Sequence, residues 1–330
     1  MHILVLGGAG MVGRKFIERL AHDGQLGGKP VTKITAQDVV AASAPAAAPF
    51  IFDVVVSDMS NEGEAESLIA SRPDLIVHLA AIVSGEAEAD FDKGYRINLD
   101  GTRHLFEAIR KVGGGYKPRV VFTSSIAVFG APFHEKIEDE FFTTPLTSYG
   151  TQKAIGELLL SDYSRRGFFD GVGIRLPTIC VRPGAPNRAV SGFFSSIIRE
   201  PLNGVVAVLP VSTGVRHWHA SPRAAVGFLL HAARISGDAL GDRRCLTMPG
   251  VSVTVAQQIE ALRAVGGDEA VGLIRNEPDE RVMRIVSGWP RRFDAQRALD
   301  LGFRADESFA QIVRVHVEDE LGGRIPTVAS

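Results

Sequence analysis

The chain has 330 residues, of which 45% are hydrophobic and 22% are charged, and its formal net charge is −2. This is the composition of a globular protein long enough for one large domain or two coupled ones, and the charge balance argues against a nucleic-acid-binding surface. No apolar run approaches the roughly 20 residues of a membrane span, and the apolar start at residues 1–6 lacks the features of a signal peptide, so we expect a cytoplasmic protein.

Short apolar runs alternate with helical patterns through the first half of the chain. Strands are predicted at residues 2–6, 31–35, 50–55, 75–79, 120–123 and 173–176, all buried on both faces. Apolar residues at helical spacing predict helices at 11–22, 61–71, 91–112 and 149–165. Such alternation is typical of an α/β fold with a doubly wound parallel sheet, the Rossmann arrangement.

A glycine-rich loop connects the first predicted strand to the first helix. Its spacing fits G-x-G-x-x-G, which allows a tight turn, brings backbone N–H groups close to a pyrophosphate and points a helix N-terminus at the negative charge. In this context, between a strand and a helix, the pattern predicts a dinucleotide site. The predicted contacts are Gly7, Gly10, Met11, Val12 and Gly13.

Two acidic residues follow the second and third predicted strands. Asp38 is the candidate for the ribose, because a carboxylate there accepts a hydrogen bond from the 2′-hydroxyl and repels a 2′-phosphate, which favours NAD over NADP. The insert at 24–30 accounts for its distance from the glycine loop, and the alternative is that Asp38 caps a helix or turn. Asp58 and Met59 are predicted to meet the adenine edge, with a helix cap as the alternative for Asp58.

Tyr149 and Lys153 are one helical turn apart and are predicted to form the catalytic pair. A phenol with a pKa near 10 is a poor base at pH 7, but a lysine cation and the positive nicotinamide ring favour the phenolate. The lysine is also predicted to hold the nicotinamide ribose. Ser125 ends a buried strand at the edge that faces the ligand crevice, where it would hold the substrate oxygen. Together they predict hydride transfer at a hydroxyl-bearing carbon; the alternative is a half-buried Tyr beside a solvated Lys.

The second half of the chain has shorter elements interrupted by prolines. We assign residues 1–176 and about 218–248 to an NAD-binding Rossmann domain, and 177–217 and 249–330 to a smaller substrate-binding part. The two cysteines, Cys180 and Cys245, are far apart and are predicted to be free thiols. We predict no metal site, because no residues have metal-ligand spacing.

Five segments resemble the extended short-chain dehydrogenase/reductase superfamily, namely 7–13, 78–81, 98–102, 123–130 and 148–153. The resemblance implies that Ser125 joins Tyr149 and Lys153 in catalysis. It also implies a homodimer formed through the two long helices before and after Ser125. The further cofactor-site residues that it implies are Leu79, Ala80, Ala81, Asn98, Pro177 and Ile179.

Within this superfamily, residues 78–92, 147–167 and 175–184 resemble the D-erythronate dehydrogenases, which oxidise the C2 hydroxyl of a four-carbon aldonate with NAD. The nucleotide-sugar dehydratases carry an Asp-Glu pair where this chain has Ile126 and Ala127, so dehydration is disfavoured. The 4-epimerases usually have V-Y-G where this chain has Val128-Phe129-Gly130, which weakens that alternative but leaves it open. A dehydrogenase of a uronate or another hydroxy acid and an NAD-binding regulator also remain as alternatives.

A small acid substrate requires a cation or several donors for its carboxylate. Arg182 and Arg216 are the candidates, and the alternative for each is an ordinary ion pair. Ser84 either donates to a substrate hydroxyl or caps a helix. Ser125, Ile126 and Tyr149 complete the predicted substrate site. His217 and His219 are predicted to be packing or rim residues.

Overall fold

The computed structural model describes residues 1–184 and 189–325. Two stretches of the predicted substrate-binding part, 185–188 and 326–330, therefore lie outside the described residues. The strands are β1 (His2–Leu6), β2 (Gln25–Leu26), β3 (Lys29–Pro30), β4 (Lys33–Asp38), β5 (Ile51–Val56), β6 (Leu75–His78), β7 (Arg119–Ser125), β8 (Asp170–Leu176), β9 (Thr178–Ile179), β10 (Ala207–Leu209), β11 (Arg216–Ala220), β12 (Cys245–Thr247), β13 (Val251–Thr254) and β14 (Ile274–Asn276).

The helices are α1 (Met11–Asp23), α2 (Glu64–Ile69), α3 (Ser84–Ala89), α4 (Phe91–Gly94), α5 (Gly101–Val112), α6 (Ser148–Arg165), α7 (Phe193–Leu202), α8 (Pro222–Ala232), α9 (Gly237–Leu240), α10 (Val255–Val271), α11 (Glu280–Ser287), α12 (Gln296–Asp300) and α13 (Phe309–Glu320). A π-helix (Tyr95–Asp100) joins α4 to α5, and short 3-10 helices occupy Ile126–Val128 and Val190–Gly192.

Seven parallel strands form the main sheet in the order β12-β8-β7-β6-β1-β4-β5. Helices cover both of its faces. On one face α1 and α8 contribute Phe16 and Phe228 to a core that includes Val5. On the other face Phe106 of α5 packs with Phe122 of β7. The predicted doubly wound α/β fold is confirmed, and each strand and helix predicted for the first half overlaps an observed one.

The strand β5 differs from its prediction. The segment was expected to be buried on both faces, but β5 is the last strand of the sheet and its Ile51, Val54 and Val56 are exposed. The apolar run therefore predicts the strand correctly but not the burial of its side chains. A strand at the edge of a sheet has a neighbouring strand on one side only. The predicted insert at 24–30 is a hairpin formed by β2 and β3.

The second half of the chain adds smaller sheets beside the carboxyl end of the main sheet. The strand β11 pairs in parallel with β9 and antiparallel with β13, and β10 pairs with β14. A second core contains Phe194, Leu262 and Ile312. The strand β12 and the helix α8 belong to the main sheet and its core, as does Phe303 from the later part of the chain. The division into two domains stays a prediction.

None of the helices in the described parts of the chain combines the length and the apolar character that crossing a membrane requires.

Candidate active site

A cavity with a volume of about 460 Å³ lies where the carboxyl ends of the central strands meet the segments of the second half. This is the edge where ligands bind in doubly wound sheets. The predicted site residues that line it are Gly7, Gly10, Met11, Val12, Gly13, Leu79, Ala81, Ser84, Ser125, Ile126, Tyr149, Lys153, Pro177, Ile179 and Arg182. The predicted residues outside its described lining are Asp38, Asp58, Met59, Ala80, Asn98 and Arg216.

The glycine loop forms the cofactor end of this cavity. Gly7 has a φ of +84°, and a Cβ atom there would lie 2.8 Å from the backbone nitrogen of Ala80, so a side chain would not fit. The following helix α1 begins after Gly10 without a side-chain cap and without acidic residues in its first turn. The N–H groups at its N-terminus therefore need an acceptor from outside the helix. These features fit the pyrophosphate of a dinucleotide.

Asp38 ends β4 directly beside this loop. Its carboxylate accepts hydrogen bonds from the N–H of Ala9, at 3.0 Å, and from the N–H of Val39, at 2.7 Å. These bonds fix the carboxylate next to the glycine loop, where an adenosine ribose would be expected. A carboxylate that caps a turn forms the same two bonds. The hydrogen bonds of Asp38 therefore agree with both of its predicted roles, ribose ligand and turn cap.

Asp58 forms local hydrogen bonds but does not cap the helix that follows, because the N-cap of α2 is Gly63 and no side chain bonds to it there. It accepts hydrogen bonds from the N–H and the hydroxyl of Ser60, at 2.9 and 2.6 Å, and it pairs with Arg96 at 2.8 Å. Burial raises the pKa of Asp58, but the bonds from Ser60 and Arg96 outweigh burial and hold this pKa below its usual value. The neighbouring Met59 is buried in the core.

Ser125, Tyr149 and Lys153 come together from β7 and α6. Ser125 ends β7 and accepts a hydrogen bond from the N–H of Ala127. Lys153 donates through Nζ to the carbonyl of Thr123 at 2.8 Å, and this Nζ lies 5.8 Å from the centre of the Tyr149 ring. The prediction that the strand end and the helix pair form one cluster therefore agrees with the geometry.

A glycine on α6 allows this close approach. A Cβ atom at position 150 would collide with the carbonyl oxygen of Ala127, so Gly150 lets the first turn of α6 lie against the chain that follows Ser125. Thr147 is the N-cap of α6, and its side chain accepts a hydrogen bond from the N–H of Gly150. The cap fixes the start of the helix and thereby the position of Tyr149.

The electrostatics of the cluster differ in one respect from the prediction. Burial raises the pKa of Tyr149, and the groups that oppose this rise are the Ser125 hydroxyl and the Arg182 cation. Burial lowers the pKa of Lys153 to about 8, against the opposing effect of Glu157. In the protein alone, therefore, the cation that lowers the pKa of Tyr149 is Arg182, and tuning by Lys153 stays a prediction.

Asn98 supports the site without lining it. Its side chain accepts a hydrogen bond from the N–H of Ile82, at 2.9 Å, and donates to Gln152 Oε1, at 2.8 Å. It thus ties the segment after β6, which lines the cavity, to the residue that precedes Lys153. This position agrees with a supporting role and not with direct contact to a ligand.

A buried network behind Ser125 was absent from the sequence predictions. The hydroxyl of Ser124 donates to Glu157 Oε1 at 2.5 Å, and Arg175 donates to Glu157 Oε2 at 2.7 Å. The Arg175 guanidinium also lies over the Phe129 ring. The signal that could have revealed this network is the position of Glu157, one helical turn after Lys153 on the same helix.

Only one of the two arginines proposed for the substrate carboxylate faces the cavity. Arg182 lines it, donating from Nε to the carbonyl of Ile179, at 2.9 Å, and from Nη2 to Ser191, at 3.0 Å. Arg216 instead donates to the carbonyl of Ser252, and the next residue along β11 lines the cavity in its place. Neighbouring side chains of a strand point to opposite faces, which explains the difference.

Ser84 is the first residue of α3 and lines the cavity. The side-chain cap that was its alternative interpretation is not present at this helix. Its hydroxyl thus lies near the predicted substrate position, in agreement with the prediction but without testing it.

His217 has more contacts than its predicted packing or rim position suggested. It is buried, it lines the cavity, and its ring bonds to Thr178 on one side and to the carbonyl of Pro290 on the other. Trp289, beside Pro290, also lines the cavity. Residues 288–290 follow α11 and carry no motif, so nothing in the sequence pointed to their place in the site.

A family model described as the NAD-dependent epimerase/dehydratase family matches residues 3–234, which is more than half of the chain. The chain belongs to this family. The predicted membership of the extended short-chain dehydrogenase/reductase superfamily, the NAD cofactor and the class of NAD-dependent oxidoreductase are thereby confirmed.

Two curated relatives match nearly the full length. A D-erythronate dehydrogenase from Cupriavidus necator is 47% identical over 97% of this chain and 98% of its own length. A D-erythronate dehydrogenase from Haemophilus influenzae is 40% identical over 97% of this chain and 100% of its own length. The predicted resemblance to this group is confirmed.

A solved structure in the family is also similar along the whole chain. It is described as a nucleoside-diphosphate-sugar epimerase from Agrobacterium tumefaciens, is 66% identical and has a TM-score of 0.97, over 99% of this chain and 96% of its own. The descriptions of these relatives thus differ in reaction type, a dehydrogenase in two cases and an epimerase in the third.

Proposed function

We propose that this protein oxidises the C2 hydroxyl of a small sugar acid of the D-erythronate type to the 2-oxo acid, with NAD. The observation that carries the proposal is the position of Arg182, a half-buried cation in the same cavity as Ser125 and Tyr149. Its guanidinium bonds to the neutral oxygens of Ile179 and Ser191, and a cation forms stronger hydrogen bonds with an ionised acceptor than with a neutral one. A carboxylate one bond from the reacting carbon would provide such an acceptor.

The chain's own groups have distinct roles in this reaction. The glycine loop and Asp38 hold the cofactor, and NAD, when bound, supplies the hydride acceptor. Ser125 donates a hydrogen bond to the C2 oxygen, and Tyr149 takes its proton, so that the hydroxyl becomes a carbonyl as the C2 hydrogen leaves with its electron pair. Lys153, held by Thr123, lies beside the phenol and favours its ionised form.

The two residues after Ser125 support this reaction class. Ile126 and Ala127 line the cavity next to the proposed substrate oxygen, and neither can transfer a proton. Elimination of water would need an acid and a base at such positions. Oxidation needs neither, because Tyr149 alone handles the single proton that leaves the hydroxyl.

The test is a panel of C4 to C6 sugar acids with NAD, measured by the absorbance of NADH, together with Tyr149→Phe. We expect oxidation of a four-carbon acid by the wild type and loss of nearly all turnover in Tyr149→Phe, with binding of NADH retained. Tyr163→Phe is the matched control, since Tyr163 is on the same helix but bonds to Glu107 instead of lining the cavity. A near-normal rate in Tyr149→Phe would show that another group is the base.

A nucleotide-sugar epimerase is the second candidate, favoured by the description of the solved relative that is 66% identical. An epimerase returns the hydride to its substrate, so free NADH does not accumulate. Interconversion of a nucleotide sugar by this protein without accumulation of NADH, with no oxidation of any sugar acid in the panel, would replace the proposed dehydrogenase with an epimerase.

The proposal also includes a cytoplasmic homodimer formed through α5 and α6. Leu158 of α6 is 69% exposed in the single chain, and a partner helix would remove this apolar side chain from water. Sedimentation equilibrium tests this part, because Leu158→Glu should shift a dimer toward monomer. A wild-type monomer at micromolar concentration would contradict it.

A further inference from the structure

A pair of polar residues on neighbouring strands lines the cavity and has no role in the reaction described so far. Thr178 of β9 and His217 of β11 are in contact, with 2.7 Å between Thr178 Oγ1 and His217 Nε2. The other ring nitrogen, Nδ1, lies 2.9 Å from the carbonyl oxygen of Pro290. Both residues face the cavity near Arg182.

The directions of these hydrogen bonds follow from the chemistry of the groups. The Pro290 carbonyl can only accept, so the His217 ring must carry its proton on Nδ1. Burial lowers the pKa of His217 to about 4, and the Arg182 charge acts in the same direction, so the ring is neutral at pH 7 and has a single proton. Nε2 is then a lone pair, and the hydroxyl of Thr178 must donate to it.

The ring cannot turn to relax this arrangement. It stacks on Phe194 with an interplanar angle of 2° and a centroid distance of 5.2 Å, and the centroid of the Trp289 ring also lies 5.2 Å away. The proton of Thr178 is therefore held by His217. Toward the cavity, the Thr178 oxygen has lone pairs alone, and it can only accept a hydrogen bond.

We propose that His217 makes Thr178 an obligatory hydrogen-bond acceptor, and that this acceptor recognises the hydroxyl on the carbon next to the one that is oxidised. The inference rests on the proposed function and adds the specificity-determining pair. Ser125 and Tyr149 engage the reacting oxygen and Arg182 the carboxylate, which leaves Thr178 for a further donor on the substrate. The protein then selects 2,3-dihydroxy acids over acids that lack the second hydroxyl.

The amide of the nicotinamide ring is the other donor that could reach an acceptor at this position, since Thr178 lies between Pro177 and Ile179. The two sources make different predictions. An acceptor for the substrate changes the preference between two acids and leaves cofactor affinity unchanged. An acceptor for the cofactor changes NADH affinity and affects both acids equally.

The experiment compares kcat/KM for D-erythronate and for its 3-deoxy analogue of the same C2 configuration in the wild type, Thr178→Val, Thr178→Ser and His217→Phe. Valine keeps the β-branched shape of threonine and removes the acceptor, whereas serine retains it. We expect the wild type to prefer D-erythronate by about 10- to 100-fold, the range for one unmatched polar group. Thr178→Val should bring this ratio close to one, Thr178→Ser should keep it, and His217→Phe should reduce it, because the freed hydroxyl can then donate as well as accept.

The outcomes of this experiment distinguish a failure of the inference from a failure of the proposed function. A wild type that oxidises both acids equally well, or a ratio unchanged in Thr178→Val, overturns the inference and leaves the proposed function standing. An NADH dissociation constant, measured by fluorescence, that rises in Thr178→Val while the ratio stays constant overturns it in favour of the nicotinamide amide. A wild type that oxidises neither acid overturns the proposed function and this inference with it.

Discussion

The ion pair between Glu157 and Arg175, which lies behind Ser125, predicts a large and local effect of Glu157→Gln. Glu157 is 5% exposed and bonds to Ser124 and Arg175, whose side chain is 12% exposed. Glutamine keeps the volume and can still accept from Ser124, but it leaves the Arg175 cation buried without its charge partner. Removing one member of a buried pair costs about 3–5 kcal/mol. We expect the lower end, about 3 kcal/mol, because one acceptor remains and Arg175 still stacks on an aromatic ring.

The assay is urea unfolding at pH 7 and at one fixed protein concentration, so that any oligomer equilibrium contributes equally. The matched control is Asp162→Asn, which removes the charge from the pair between Asp162 and Arg165 on the same helix. These two side chains are 58% and 64% exposed, and such pairs contribute less than about 0.5 kcal/mol. The free energy of unfolding should therefore fall several-fold more in Glu157→Gln than in Asp162→Asn.

Catalysis provides a second measurement for the same variant. Ser124 directly precedes Ser125, so weakening the hold on Ser124 should lower kcat for the sugar acid by a larger factor than it changes the affinity for NADH, because the glycine loop is elsewhere in the cavity. Equal losses of stability in Glu157→Gln and Asp162→Asn would refute the reasoning that burial makes this pair important. A loss of NADH affinity as large as the loss in kcat would show that the network acts on the whole crevice and not on the strand end.

Three further predictions concern the cofactor, the substrate and pH. Asp38→Ala should lower the ratio of kcat/KM for NAD to that for NADP, and an unchanged ratio would exclude Asp38 as the ribose ligand. Arg182→Met should raise KM for the acid by about 10-fold or more, as expected for the loss of a hydrogen bond to a charged group. Arg216→Met is the control and should change this KM less than about two-fold. Similar effects of the two substitutions would contradict the geometry. Burial lowers the pKa of His78 to about 3 and of His217 to about 4, from 6.5. Below pH 6.5 the unfolded chain therefore takes up protons on these histidines that the folded protein does not. The free energy of unfolding should fall as the pH decreases below 6.5, by about 1.4 kcal/mol per pH unit for each histidine. Urea midpoints that stay constant from pH 6.5 to 5 would disprove this.

The main sheet and the cofactor end of the site were predictable because their signals are local. The glycine loop, the strand end at Ser125 and the helical pair Tyr149 and Lys153 each occupy a short segment whose residues determine its conformation. A buried parallel strand and the helix after it place such segments at one edge of the sheet. The exception in the sheet is β5, whose apolar residues are exposed because it is the edge strand. Its own sequence does not determine its position in the sheet order, so this exposure could not be predicted.

The substrate end was less predictable for the same reason. The choice between Arg182 and Arg216 depends on which face of β11 meets the cavity, and that face is set by pairing with β9 and β13. His217 was predicted to be a packing or rim residue because no residue near it has metal-ligand spacing. Its hydrogen bond to Thr178 joins two residues that are 39 positions apart in the chain, so local sequence could not predict it.

Two sets of groups in the cavity owe their positions to different kinds of contact. The positions of the groups that we propose to hold the cofactor and move the proton are set by local sequence and by backbone contacts such as that from Lys153 to Thr123. The positions of the groups that we propose to face the substrate, Arg182, Thr178 and His217, depend on long-range pairing and on the carbonyl of Pro290. Relatives can therefore share the first set and differ in the second, which is how an epimerase and a dehydrogenase can both be similar to this chain. The substrate of a relative is best transferred where the second set is the same, since those residues, and not the overall identity, determine which acid or sugar is bound.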